Sequence, residues 1–317
     1  MVFSLESYVS VIADQVLVML LLMAAGFFSY KVKIISNEGS KQITNILILL
    51  VSPVVIFVSY QRDFDPEMLK GLAQAFGIAL LGFAIAMAGA YLLLRAKGKE
   101  GKAALAVERF SVIYSNCGFI GIPLVQALFG NEGVFYLTAV MTAFNILVWT
   151  HGLFLFTGGE KFSIKGLLKA LCSPSILAVP IGLICFLLRL RVPDVVLDAM
   201  NYIAGMNTPL AMLVAGVTVA QTNLIKAFTR PRTYYVSFLK LILLPLLIVL
   251  AYSVFKLPAI ISLTIAVAMA APSGAMCTMF AVRYDRDAHY ASEIFAATTI
   301  LSMATLPLIV WAAGFLL

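Results

Sequence analysis

The sequence predicts an all-α polytopic membrane protein: ten transmembrane helices in two inverted five-helix repeats, with broken, crossing helices 4 and 9. Three observations carry this. Of 317 residues, 62 % are hydrophobic and 12 % charged, and the mean hydropathy is +1.02; soluble domains run at about 45–50 % apolar and about 25 % charged. Apolar stretches of about 20 residues recur along the chain, enough at ~1.5 Å per residue to cross a ~30 Å hydrocarbon layer. Finally, helix-breaking residues recur at one fixed offset between the two halves.

Apolar runs between charged or Gly/Pro-marked loops place spans near residues 8–29, 43–60, 71–94, 104–129, 133–157, 170–189, 199–221, 233–255, 258–282 and 290–316. The first run is too long for a signal-peptide core and lacks a basic start, so it reads as a retained span. Loops after odd-numbered spans carry Lys31, Lys33, Lys41, Arg95, Lys97, Lys99, Lys102, Lys161, Lys165, Lys169, Lys226, Arg230, Arg232, Arg283 and Arg286. The opposite side carries Arg62, Lys70, Arg189, Arg191 and Lys256. The basic excess marks the cytoplasmic side, so both termini are expected outside a cell (inner) membrane. It also accounts for the net charge of +7 without nucleic acid as a partner.

A shift of 156 residues aligns Gly26 with Gly182, and Asn45, Ser52 and Pro53 with Asn201, Thr208 and Pro209. It also aligns Asn116 with Pro272, Gly118 with Gly274, and Thr142 with Thr298. Five spans per half, an odd number, turn the second copy upside down. The repeats are 1–157 and 170–317. Inverted repeats with broken helices at matching positions point to a secondary transporter, although Gly and Pro are also common in membrane helices generally.

A backbone break at membrane depth persists only when buried in protein or lining a watery cavity. Span 4 is expected to loosen through Ser115–Gly121 and restart near Pro123, a suitable first-turn residue. Span 9 is expected to loosen around Ala271–Gly274. The restarted half-helices offer N–H groups to an anion, and the ending ones offer carbonyls to a cation. The predicted substrate-binding residues are Ser115, Asn116, Cys117, Gly118, Pro272, Ser273, Gly274 and Met276. Thr142, Asn145, Thr298 and Ser302 are added from the following spans. Gly121, Pro123 and Pro272 are the predicted helix-break residues. Ser and Thr hydroxyls can equally bond their own helix backbone.

Ionisable residues at depth are few: Asp14, Glu108, Arg109, His151, Lys240 and Glu293. Interfacial ion pairing or snorkelling accounts for them, with Asp14, Glu108 and Glu293 as alternative coupling groups for protons. Cys117, Cys172, Cys185 and Cys277 have no paired spacing, so neither disulfide nor zinc site is expected. HExxH, Walker A and GxSxG motifs are absent, which argues against an enzyme. No cofactor is expected beyond a coupling H+ or Na+.

"SNCGFIGIPLVQALFG" (115–130), with its N-x-x-x-x-G-I-P-L core, and "FYLTAVMTAFNILVW" (135–149) resemble the fourth and fifth spans of the auxin efflux carrier family. "AAPSGAMCTMFAVRYDRD" (270–287) and "TTILSMATLPL" (298–308) resemble its end. The resemblance, to compact prokaryotic members often labelled malonate or malate transporters, covers essentially the whole chain. It implies a fold shared with bile acid:sodium symporters. A scaffold (1–60 and 170–221), often dimeric, would hold a moving core (71–157 and 233–317). Small organic anions, mainly carboxylates, would cross by elevator-like alternation. Sodium-coupled carriage of larger amphipathic anions, or a channel or sensor, are the alternatives. Plant members have proline where this chain has Ser115.

Overall fold

The structure, a computed structural model, describes residues 5–96, 98–158 and 172–316. Lys97, Lys161, Lys165, Lys169 and the first two residues of the expected sixth span lie outside them. The described residues form helices α1 (Leu5–Lys31), α2 (Asn37–Ser59), α3 (Pro66–Leu93), α4 (Gly98–Ile113), α5 (Cys117–Thr157), α6 (Pro174–Leu187), α7 (Asp194–Gln221), α8 (Leu224–Thr229), α9 (Pro231–Ser253), α10 (Ala259–Ala270), α11 (Met276–Arg283) and α12 (Ala288–Leu316). Seven are long and apolar enough to cross a membrane (α1, α2, α3, α5, α7, α9 and α12), and α6 and α10 are shorter apolar helices. The protein is a multi-pass membrane protein. Exposed Leu17, Leu21, Phe28, Leu49, Ile181, Ile184, Leu308 and Trp311 form part of its apolar exterior.

Helix starts follow local chemistry. Ser36 caps α2 by accepting the Gly39 N–H at 3.0 Å, and Asp65 caps α3 by accepting from Glu67 N–H at 2.9 Å, with Pro66 at the first helical position. Prolines also shape helix interiors. Wide π turns span Leu47–Val51, Cys117–Gly121 and Leu239–Leu243, and each is followed two residues later by a proline: Pro53, Pro123 and Pro245. A proline has no N–H for the carbonyl four residues back, and its ring crowds that carbonyl, so the preceding turn widens. The fourth wide turn, Val148–Gly152, has no such proline. Gly130, at φ +58° and ψ −148°, breaks α5 into two helices where the sequence placed a loop between two spans.

Two layers of contact organise the helices. α1 lies along α7, where a Cβ on Gly26 would collide with the Leu213 carbonyl and one on Gly216 with the Met23 carbonyl. Small residues that let backbones meet are the usual glue between membrane helices, because lipid is as apolar as leucine. Gly182 of α6 similarly receives the Tyr60 ring at the end of α2. Around the other helices runs the main core, with Phe83, Phe110, Tyr114, Phe135, Phe156 and Phe280 buried.

Candidate functional site

Two helix interruptions meet in the core. α4 ends at Ile113 and α5 begins at Cys117; α10 ends at Ala270 and α11 begins at Met276. Ser115 and Ser273 form an antiparallel bridge between them. Asn116 N–H donates to the Pro272 carbonyl at 2.7 Å, and Gly274 N–H donates to the Tyr114 carbonyl at 3.0 Å. Each break therefore supplies the other with backbone partners that neither helix offers, which is what lets extended chain persist in an apolar interior. The antiparallel register sets Asn116 opposite Pro272.

The side chains at this crossing are unevenly satisfied. Asn116 is 7 % exposed and its Nδ2 donor is buried without a partner; Ser273 Oγ is in the same position. Ser115 Oγ donates to the Met269 carbonyl at 3.0 Å. Thr298 reaches the break from α12, its Oγ1 accepting from Ser273 N–H at 3.2 Å while donating to the Ile294 carbonyl at 2.7 Å. Cys117 is buried at the start of α5, Gly118 follows it half-buried, and Gly121 and Pro123 lie buried just beyond. Met276, half-buried, opens α11. An unpaired buried amide donor costs about 1–3 kcal/mol unless an acceptor reaches it.

Three expected site residues bond to their own helix. Thr142 Oγ1 donates to Thr138 O at 2.8 Å, Asn145 Nδ2 to Met141 O at 2.8 Å, and Ser302 Oγ to Thr299 O at 2.7 Å. Such back-bonding satisfies the group locally. Asp14 lies exposed on α1. Glu108 and Glu293, both 3 % exposed, are held by arginines around Pro231. Arg232 grips Glu108 with Nε at 2.8 Å and Nη2 at 2.6 Å, and Tyr290 O–H adds a third bond at 3.1 Å. Arg230 Nη1 lies 3.0 Å from Glu293 Oε2, off the line of a hydrogen bond. Arg109 stacks 4.1 Å from the Tyr91 ring, and His151 bonds both Tyr91 (3.1 Å) and Tyr114 (2.8 Å).

Lys240 departs from its expected interfacial place. It is 2 % exposed, and its Nζ donates to Ser115 Oγ and, at 3.4 Å, to the Met269 carbonyl. Sequence reasoning did not assign it to the crossing. A signal existed: Lys240 stands five residues before Pro245, as Gly118 stands before Pro123, within a proline-widened turn. Among the described residues there is no cluster of His, Cys, Asp and Glu able to hold a metal ion.

Two polar cavities lie at the other end of the helices from Tyr60. One of about 610 Å³ is lined by Tyr30, Asn37, Lys41, Asn45, Thr218 and Gln221, among others. A tighter one of about 150 Å³ shares Thr218 and Gln221 and continues to Thr278, His289, Ser292 and Glu293.

Comparison with known proteins gives concordant results. A family model described as membrane transport protein matches residues 11–310. An uncharacterized transporter of Methanothermobacter thermautotrophicus is 26 % identical over 302 residues, covering 93 % of this chain and 96 % of the relative. A second, from Methanocaldococcus jannaschii, is 26 % identical over 65 % of this chain and 68 % of its own length. A third, from Escherichia coli K12, is 23 % identical over 74 % of this chain and 76 % of its own.

Proposed function

The chain belongs to the membrane transport protein family, that of the auxin efflux carriers, and from this premise we propose that it is a secondary carrier of small organic anions, chiefly carboxylates. The observation that carries this reading is the Asn116 amide donor, buried without a partner where two helices break and restart. The helix starting at Cys117 directs its first N–H groups and positive dipole end toward the same place, which favours an anion. A carboxylate would satisfy Asn116 Nδ2 and accept from Ser273 Oγ.

Elevator-like alternation within ten spans is the motion we assign to it. The inverted repeat is supported by the crossing itself, since Asn116 faces Pro272, the pair equated by the 156-residue offset. It is also supported by the glycine contacts: Gly26 of the first span meets the seventh, and Gly182 of the sixth meets the end of the second. Under the offset these contacts exchange. The proposed scaffold (1–60, 170–221) and core (71–157, 233–317) touch through Tyr60 O–H and Thr138 Oγ1, 2.6 Å apart, and Arg62, just past the scaffold's second span, lies 3.4 Å from Glu132 of the core. At the opposite, cytoplasm-facing end the two polar cavities line the scaffold and its boundary with the core. We read this arrangement as a carrier closed outside and open inside, with both termini outside as the basic loops imply. A homodimer would form through the scaffold.

Uptake of labelled mono- and dicarboxylates into proteoliposomes, under imposed proton, sodium and voltage gradients, tests the proposal. Asn116→Ala is expected to lower uptake by about tenfold, the worth of one hydrogen bond to a charged group, with the melting temperature unchanged. Undiminished uptake removes Asn116 from the site. Unitary currents, or binding without counterflow exchange, point instead to a channel or sensor.

A further inference from the structure

The crossing holds a cation-shaped position as well as an anion-shaped one, and a side chain fills it. α10 ends at Ala270. In a continuing helix the Met269 carbonyl would accept from Ser273 N–H and the Ala270 carbonyl from Gly274 N–H. Both donors are diverted, Ser273 N–H to Thr298 Oγ1 at 3.2 Å and Gly274 N–H to the Tyr114 carbonyl at 3.0 Å. The α10 terminus therefore carries freed carbonyls and the negative end of the helix dipole. Ser115 Oγ sits against the Met269 carbonyl at 3.0 Å. Carbonyl and hydroxyl oxygens at a half-helix C-terminus form the kind of all-oxygen set that a hard cation takes.

The Lys240 ammonium occupies that set, bonded to Ser115 Oγ and the Met269 carbonyl. It comes from the widened turn Leu239–Leu243, two residues ahead of Pro245, and is 2 % exposed. Among the described residues no carboxylate pairs with it; Glu108 and Glu293 are engaged by Arg232 and Arg230. A buried charge needs compensation, and here the oxygens of the helix terminus supply it.

We propose that Lys240 is a resident cation standing where a coupling alkali ion would otherwise bind, so that Lys240 sets the ion specificity of the carrier: it runs without sodium. The transport arm of this proposal rests on the anion-carrier reading above, whereas the cation-binding arm does not.

Melting of the purified protein in detergent, titrated with sodium, lithium or choline chloride at constant ionic strength, reads the cation arm. The wild-type protein is expected to melt at the same temperature in all three, within about 1 °C. Lys240→Ala removes the ammonium and leaves its oxygens, so it is expected to melt lower in choline and to recover by ~2 °C or more in saturating sodium or lithium. Lys240→Met, which fills the space with an apolar chain, is expected to melt lower without recovering in any salt. Lys240→Ser, which leaves the oxygens and adds one, takes the place of the alanine variant if that does not yield folded protein. Saturable binding of radioactive sodium to the wild-type protein overturns the proposal, as does a folded alanine or serine variant indifferent to alkali ions. In proteoliposomes, wild-type uptake driven by a sodium gradient overturns it as well. If no carboxylate is taken up at all, the anion-carrier reading fails while the cation titrations still decide the role of Lys240.

Discussion

Arg232→Met is expected to destabilise the protein by about 3 kcal/mol, toward the low end of what removing one partner of a buried ion pair costs. Glu108 is 3 % exposed and held by two Arg232 nitrogens, at 2.8 and 2.6 Å, and by Tyr290 at 3.1 Å. Without the guanidinium, a carboxylate is left inside the protein with one phenol for a partner. The reverse deletion is expected to cost less. In Glu108→Ala the remaining arginine, whose side chain is 36 % exposed, can turn to solvent, so a loss of about 1 kcal/mol is expected. Unfolding titrations of both single variants and the Arg232→Met, Glu108→Ala double variant measure this asymmetry. Equal losses in the two single variants would show that the pair is worth no more than its surface-exposed half. The pair joins α4 to the start of α9, and Arg230 ties the same start to α12 through Glu293. Three helices of the proposed core are thereby fastened at one end, as a body that moves as a unit needs.

Gly216→Leu is expected to cost about 3 kcal/mol or more, because the obstacle is backbone and cannot rotate away. A Cβ there collides with the Met23 carbonyl and lies 2.8 Å from Phe27 N, so α1 and α7 must separate along their contact. Separation also breaks the reciprocal fit of Gly26 against Leu213. Gly77→Ala supplies the comparison. Nothing lies within 4 Å of a Cβ on Gly77 in α3, and alanine is the better helix former by about 1 kcal/mol. Monodispersity on gel filtration and melting temperature are expected to fall in the first variant and to hold or rise in the second. Equal behaviour would mean that the α1–α7 contact adjusts more freely than two touching backbones allow.

Much of this architecture was legible in the residues. Hydropathy placed helices where they are found because a bilayer-spanning segment must be apolar along its whole length, whatever its neighbours. The stretch Ser115–Gly121 read as broken because proline and glycine act on their own backbone, and Ala271–Gly274 did so for the same reason, although α5 resumes already at Cys117, in a widened turn, rather than near Pro123. Asn116 stood out in sequence as a polar amide inside an apolar break, and the structure buries it there with its Nδ2 unpartnered. For other expected site residues the pattern left the side-chain partners open. Thr142, Asn145 and Ser302 sit at sensible spacing, yet each bonds to its own helix, a choice made by rotamer and neighbouring packing rather than by spacing. Gly130 breaks α5 where the sequence separated two spans, and Met276 stands half-buried at the start of α11.

Lys240 marks the boundary most clearly. In sequence it is a lysine a few residues inside an apolar run, and snorkelling is open to any such side chain. Its neighbours Ser115 and Met269 are 125 and 29 residues away. The sequence by itself determined a many-helix membrane transporter, the location of its breaks and the asparagine within one of them, because hydropathy and backbone restriction are local properties. Only the tertiary structure decided which groups meet at the crossing: the paired breaks, the unpartnered Asn116 amide and the ammonium on the end of α10. Partners that satisfy or strand a buried polar group come from distant segments, and nothing short of the packed chain brings them together.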